Sequence, residues 1–232
     1  MKKILLLLVV AIYCHALNAQ DKSFQKGKIT IGIGAGFGLF GTKSHQEQDE
    51  SVYYNGSIHT NRVVKDTIGG AASGTFPLTV EYGITNWLGI GGRFAYSKYI
   101  SNADSTNKHI KPTVTGLDCD LMVNFHFIKT KHFDMPIQLT LGYSKLKYLA
   151  NDANGSAAKG SGLNYGFALV PHIYFGNNIG IFFNLGYAGM SYPNMTFSNN
   201  TNSNLNSGSG NYVYKLKGNG VNAGLGLAVK FH

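Results

Sequence analysis

Five sets of residues in this sequence have side-chain types that could do chemistry, and each points to different chemistry. Gly36-Phe-Gly38-Leu-Phe-Gly41 has the GxGxxG spacing of a dinucleotide loop. Such a loop works only when a helix follows and presents its N-terminus to the pyrophosphate. The residues that follow are TKSHQEQDES, with no apolar helical period, so nucleotide binding is set aside. Ser101, Asp104, Ser105 and His109 have the side chains of an activated-nucleophile system. Their spacing is that of an ordinary polar stretch, and no catalytic residue is assigned. His45, His59 and His109 are scattered, and neither H-x₃₋₅-H nor a cysteine-rich spacing occurs, so no metal site or cofactor is implied. The charges remain. Glu81, Arg93, Asp118 and Asp120 could form an ion cluster. Lys98, Lys145, Lys147, Lys215 and Lys217 could pair with phosphates in salt-sensitive contacts.

The elements that must position these residues have one period throughout. GKITIGIGAGFGLFG (27–41) sets Ile29, Ile31, Ile33, Ala35, Phe37 and Leu39 against glycine and threonine. Alternation of this kind is the mark of a strand with two unlike faces. It recurs at 74–85, 87–97, 115–128, 135–144, 162–175, 179–189 and 220–231, which makes eight expected strands. The connections alternate in length: long at 42–73, 98–114, 145–161 and 190–219, short at Asn86, 129–134 and 176–178. This is the pattern of an up-and-down antiparallel meander.

The chain opens MKKILLLLVVAIYCHALNAQ, a charged start, an apolar core and a small-x-small site ending at Ala19. That is a cleavable secretory leader over 1–19, too short for a membrane span. Its removal leaves 20–26 as a short N-terminal segment before a single domain over 27–232. Cys14 leaves with it, so Cys119 stands alone and no intramolecular disulfide is available. The formal charge of +9 drops by the two leader lysines. An exported chain with no basic run or basic helix is not expected to bind nucleic acid.

A soluble barrel puts its large apolar residues inside. Here the second face is glycine, threonine, alanine and asparagine, too small to fill an interior. The bulky face must therefore meet lipid, and lipid requires a closed sheet. Trp87, Phe127, Phe133, Phe175 and Phe231 at the short-turn ends read as one interfacial girdle. Tyr96, Tyr99, Tyr143, Tyr148, Tyr187, Tyr192, Tyr212 and Tyr214 read as the other.

With eight such strands, the hairpin VEYGITNWLGIGGRFAYS and the terminal strand GLGLAVKF, the chain resembles the outer-membrane β-barrel family that includes OmpX and the OmpA transmembrane domain. The resemblance covers 27–231 and implies an all-β, eight-stranded antiparallel transmembrane barrel in the outer membrane of a diderm bacterium. It implies periplasmic termini and short turns, and long extracellular loops. In that family a terminal aromatic guides recognition by the assembly machinery; here Phe231 is followed by His232, a small departure.

The expected role is non-catalytic, structural or exercised through the loops, with a narrow solute conduit or a lipid-modifying enzyme as alternatives. Expected partners are outer-membrane lipid, lipopolysaccharide at the lysine collar, the assembly machinery and an extracellular loop ligand, with the barrel itself monomeric. Pairing through Asn86 is expected to bring Glu81, Arg93 and Asp120 together in mid-lumen, with Asp118 above, as a plug. His126 and His172 fall on the inward face as lumen hydrogen-bonders.

Overall fold

The computed structural model describes residues 23–54, 57–101, 113–149, 157–176, 178–198 and 212–231. Its strands are β1 Ile29–Tyr54, β2 Ser57–Gly83, β3 Leu88–Ser101, β4 Thr113–Lys129, β5 Phe133–Leu149, β6 Ala157–Leu169, β7 His172–Phe175, β8 Ile179–Ser198 and β9 Tyr212–Phe231. Each pairs antiparallel with its neighbours, and β1 pairs with β9 from Ile29↔Phe231 to Gln48↔Tyr212, which closes the sheet. β6 and β7 are one stave of the wall. β5 continues in unbroken register from Ile137↔Leu169 to Asp134↔His172 across the gap. The gap falls at Val170-Pro171, where proline has no N–H to give the ladder. The wall is therefore an eight-stave barrel.

The alternating faces are the expected ones. Ile33 is 62% exposed, Phe37 63%, Leu121 76% and Leu225 64%, all outward. Their inward neighbours are small, or buried like Ala95 and Met122. The short connections gather at one end with both ends of the barrel sequence, and Trp87, Phe127, Phe175 and Phe231 stand exposed around it. Small inward residues leave room for larger ones. A Cβ at Gly32, Gly34 or Gly226 would meet the ring of Phe182, which lies along that bare wall. Gly36 is less free than its place in the lumen suggests, since a Cβ there would come within 2.8 Å of the Ala223 carbonyl oxygen.

Three expectations need correction. The first concerns 42–73, expected as a loop. β1 and β2 stay paired without a register break from Ile29↔Tyr82 to Tyr54↔Ser57, so this segment is a hairpin standing on the barrel. Cross-strand polar contacts hold it: His45 Nδ1 lies 2.7 Å from Asp66 Oδ1, and Arg62 pairs with Glu47. Strands likewise run past the expected ends to Ser101, Leu149 and Ser198, and begin as early as Thr113, Ala157 and Tyr212.

The second concerns the tyrosine girdle. Tyr96, Tyr143 and Tyr187 face outward, but Tyr99 and Tyr192 are buried in the lumen, with Tyr148 and Tyr214 packed against them. The third is the position of Glu81, described below. The side chain of Tyr212, and residues 102–112 with Asp104, Ser105 and His109, lie outside the described residues.

Candidate functional site

The lumen is filled in layers. At the outer end Tyr99, Val114, Leu146, Ala158, Tyr192 and Met195 form an apolar seal, backed by Phe40, Met190 and Leu216. Its underside is polar. Ser144 Oγ donates to Asp118 Oδ1 at 2.6 Å and lies 2.7 Å from Tyr192 Oη. Because the serine proton is spent on Asp118, Tyr192 is the donor in the second bond.

Below this seal, β3 and β4 set Arg93 opposite Asp120, and Nη1 meets Oδ2 at 2.6 Å. Glu81 does not join them. The β2–β3 register is centred on Asn86, so Thr79 stands opposite Arg93 and Glu81 opposite Gly91. The Glu81 carboxylate then extends over Gly89, where a Cβ would occupy its place, and so points toward the turn end. There its Oε1 accepts from His126 Nε2 at 2.7 Å. The other ring nitrogen, Nδ1, lies 2.8 Å and 2.9 Å from the two Asp134 oxygens. The predicted four-residue cluster is thus two: Arg93–Asp120 with Asp118 above, and Glu81–His126–Asp134 at the turn end.

The lower cluster has a lid that sequence patterning missed. Phe24 is 2% exposed and stacks on the His126 ring, centroids 3.4 Å apart and planes 6° from parallel. Ser23 anchors it, donating its N–H to the Thr130 carbonyl at 2.8 Å and its hydroxyl to the Phe133 carbonyl at 3.0 Å. The segment expected as a short tail therefore tucks into the barrel mouth. Its one sequence signal is a lone phenylalanine in DKSFQKGK. Beside it Val170, Tyr174, Phe182 and Ala228 form a second apolar patch, and Lys230 Nζ sits 3.8 Å above the Tyr174 ring.

Between the two seals lies a cavity of about 130 Å³, lined among others by Arg93, Asp120, Asn124, Gln138, Asn164 and Asn222. Asp120 Oδ1, Asn124 Oδ1 and Asn164 Oδ1 are buried without a protein partner, in surroundings with the room and polarity for several waters. No step of catalysis follows from this arrangement. Both nitrogens of His126 are held by carboxylates and Phe24 covers one face of its ring, so the imidazole has no nitrogen left to serve as a base. Among the described residues no group of three or more histidine, cysteine or acidic side chains could hold a metal ion.

The second candidate is the outer rim. Lys98, Lys145, Lys147, Lys215 and Lys217 are all exposed. The ladders set Lys98, Thr115, Lys147 and Lys159 side by side across four staves, and put Lys217 opposite Lys43. In the wall below that level Glu81, Asp118, Asp120 and Asp134 are all buried inside. The described outer surface there carries no carboxylate; the nearest outward acidic groups are Glu47 and Asp66 of the hairpin, just above Lys215.

Fold and site together define an eight-stave β-barrel with an apolar exterior and side chains packed into its lumen, the architecture of the small outer-membrane barrels. No family model matches the chain, and no curated protein does. Among solved structures it is similar in fold to the outer membrane protein OprG from Pseudomonas aeruginosa, with a TM-score of 0.50 at 15% identity over 93% of this chain and 100% of that one. Ail, the attachment invasion locus protein of Yersinia pestis, also matches, with a TM-score of 0.43 at 16% identity over 89% and 99% of the two chains. By TM-score only the OprG likeness bears on the chain, and at 15% identity it bears on the fold alone.

Proposed function

We propose that this chain is a non-catalytic outer-membrane protein of a diderm bacterium, exported by a cleaved leader. It stabilises the envelope and acts at the cell surface through what stands above its lipid-facing band. The observation that carries this reading is a wall apolar all round its outside, with side chains packed into the lumen near both ends. Its polar working surfaces are then the outer hairpin and the lysine belt.

Lipopolysaccharide phosphates are the proposed ligands of the belt, at the height where snorkelling lysines meet headgroups. The C-terminal strand ending at Phe231 is the proposed signal to the assembly machinery. A ligand of the extracellular elements completes the partner set.

Orientation is tested by trypsin on intact cells. Arg62 and Lys65 on the hairpin are exposed and should be cut, while the wall is spared. Cutting confined to the 129–134 turn would invert the arrangement.

The belt is tested by lipopolysaccharide binding of purified protein. Replacing Lys98, Lys145 and Lys147 by glutamine should weaken binding at low salt and flatten its salt dependence. Unchanged binding would remove lipopolysaccharide from the partner set. The second reading, a conduit for small solutes, draws on the central cavity, and the two seals oppose it.

A further inference from the structure

Among the described residues the hairpin has one sheet edge without a strand partner. β2 pairs with β1 in one register and without interruption from Thr75 to Ser57, but its pairing with β3 stops at Ala71↔Ser101. From Ser57 to Gly70 the other side of β2 has no strand partner among the described residues. Free edges present unpaired N–H and C=O groups, and natural proteins blunt them with prolines, bulges or charges. This one has no proline, and the β1–β2 register runs through it without a bulge; the protection it has is charge, at Arg62, Lys65 and Asp66, with Arg62 and Asp66 also paired to Glu47 and His45 of β1. Its residues from Arg62 to Gly70 are exposed, with Val64 at 54% and Ile68 at 82%.

The charges on this edge select a partner. Arg62, Val64, Asp66 and Ile68 share the parity of Phe76 and Leu78 and so face outward, while Val63, Lys65 and Thr67 face the other way. When such an edge pairs antiparallel with its own copy, facing residues must share a face, so their numbers sum to an even value. Centred on Val64, the register sets Arg62 against Asp66 twice, with Val64 on Val64 between and Val63 beside the stem of Lys65. Centred on Arg62, Lys65 or Asp66 it sets like charges together, and centred on Val63 it brings no opposite charges face to face. One register is therefore favoured, and it is self-complementary.

We infer that the 57–70 edge of β2 pairs with the same edge of a second copy seated in a facing membrane. The opposed membrane follows from symmetry. The two-fold axis relating antiparallel edges is perpendicular to the sheet. The staves rise from the membrane, so that axis lies near the membrane plane and turns the second barrel upside down. Val64 stands ten residues beyond Gly74, which pairs with Lys98 of the belt. At 3.3 Å per residue that is roughly 30 Å along the strand, a reach that lets two hairpins meet between bilayers. This inference rests on the reading of the hairpin as the outward surface and gives that surface a partner.

The test is clustering of phosphatidylcholine vesicles into which the full mature chain has inserted, with no lipopolysaccharide present and no anionic lipid for the lysine belt. Wild-type vesicles should cluster by light scattering. Vesicles carrying Arg62→Asp alone, or Asp66→Arg alone, should lose clustering, since each then faces its copy with like charges. A mixture of the two variants should regain it, because the two acidic positions of one variant then face the two basic positions of the other. Insertion of each variant is checked by its shift in gel mobility before and after heating. Inserted wild type that stays dispersed would overturn the inference, as would single variants that cluster like wild type or a mixture that fails to recover. Failure of the wild type to insert at all would instead strike at the barrel reading beneath it.

Discussion

Leu121→Arg is expected to destabilise the folded barrel by ~2–4 kcal/mol, the cost of an arginine on the lipid face at the bilayer midplane. Leu121 projects outward on β4 with 76% exposure. It stands six residues from Thr115 in the belt row and six from Phe127 in the aromatic ring near the turns, so it lies at mid-height. Lys147→Arg, in the belt, should change stability by less than about 0.5 kcal/mol, since the headgroup region already accepts a cation there. The measurement is equilibrium unfolding in vesicles. A soluble barrel would answer differently: an arginine replacing an exposed leucine would be close to neutral in water. Equal stabilities for Leu121→Arg and Lys147→Arg would therefore contradict a lipid-facing wall.

Arg93→Ala should have an effect of similar size from the opposite face. Asp120 has a side chain only 1% exposed and Arg93 one 24% exposed, and the truncation leaves the carboxylate buried without its cation. Removing one partner of a buried pair costs ~3–5 kcal/mol, and the exposure of Arg93 to the cavity puts the expectation at about 3 kcal/mol. Asp120→Ala in the same chain should restore at least half of the loss, because no stranded charge remains. The reading is again equilibrium unfolding, now as a double-mutant cycle. Additive losses would mean that the two side chains do not depend on each other.

How far the sequence revealed this protein depended on what each face meets. Ile29 to Leu39 and Leu117 to Phe127 alternate because lipid lies on one side and a crowded lumen on the other, and those strands are placed as expected. The outer hairpin escaped because above the lipid neither face needs to be apolar. Residues such as His45, Glu47, Arg62 and Asp66 form a ladder with no hydrophobic period to announce it.

Residue type marks Tyr99 as an interfacial aromatic, whereas its parity with Arg93, Ala95 and Ser97 places it inside, where it is buried. Arg93 and Asp120 could be matched by counting from turns. The Glu81–His126 contact could not, since it depends on a carboxylate extending along the lumen over Gly89. Phe24 carries no pattern at all, because a single residue closing a barrel mouth has no period.

The claim on which the functional reading turns is that the lumen is closed, with Tyr192 and its neighbours at the outer end and Phe24 over Glu81–His126–Asp134 at the other. Single-channel recording of the purified, folded protein in planar bilayers addresses it directly. Wild-type protein is expected to insert without opening a steady conductance, because eight staves leave an interior that side chains fill. A large, stable wild-type conductance that persists unchanged in Arg93→Ala would contradict the account and make the barrel a conduit.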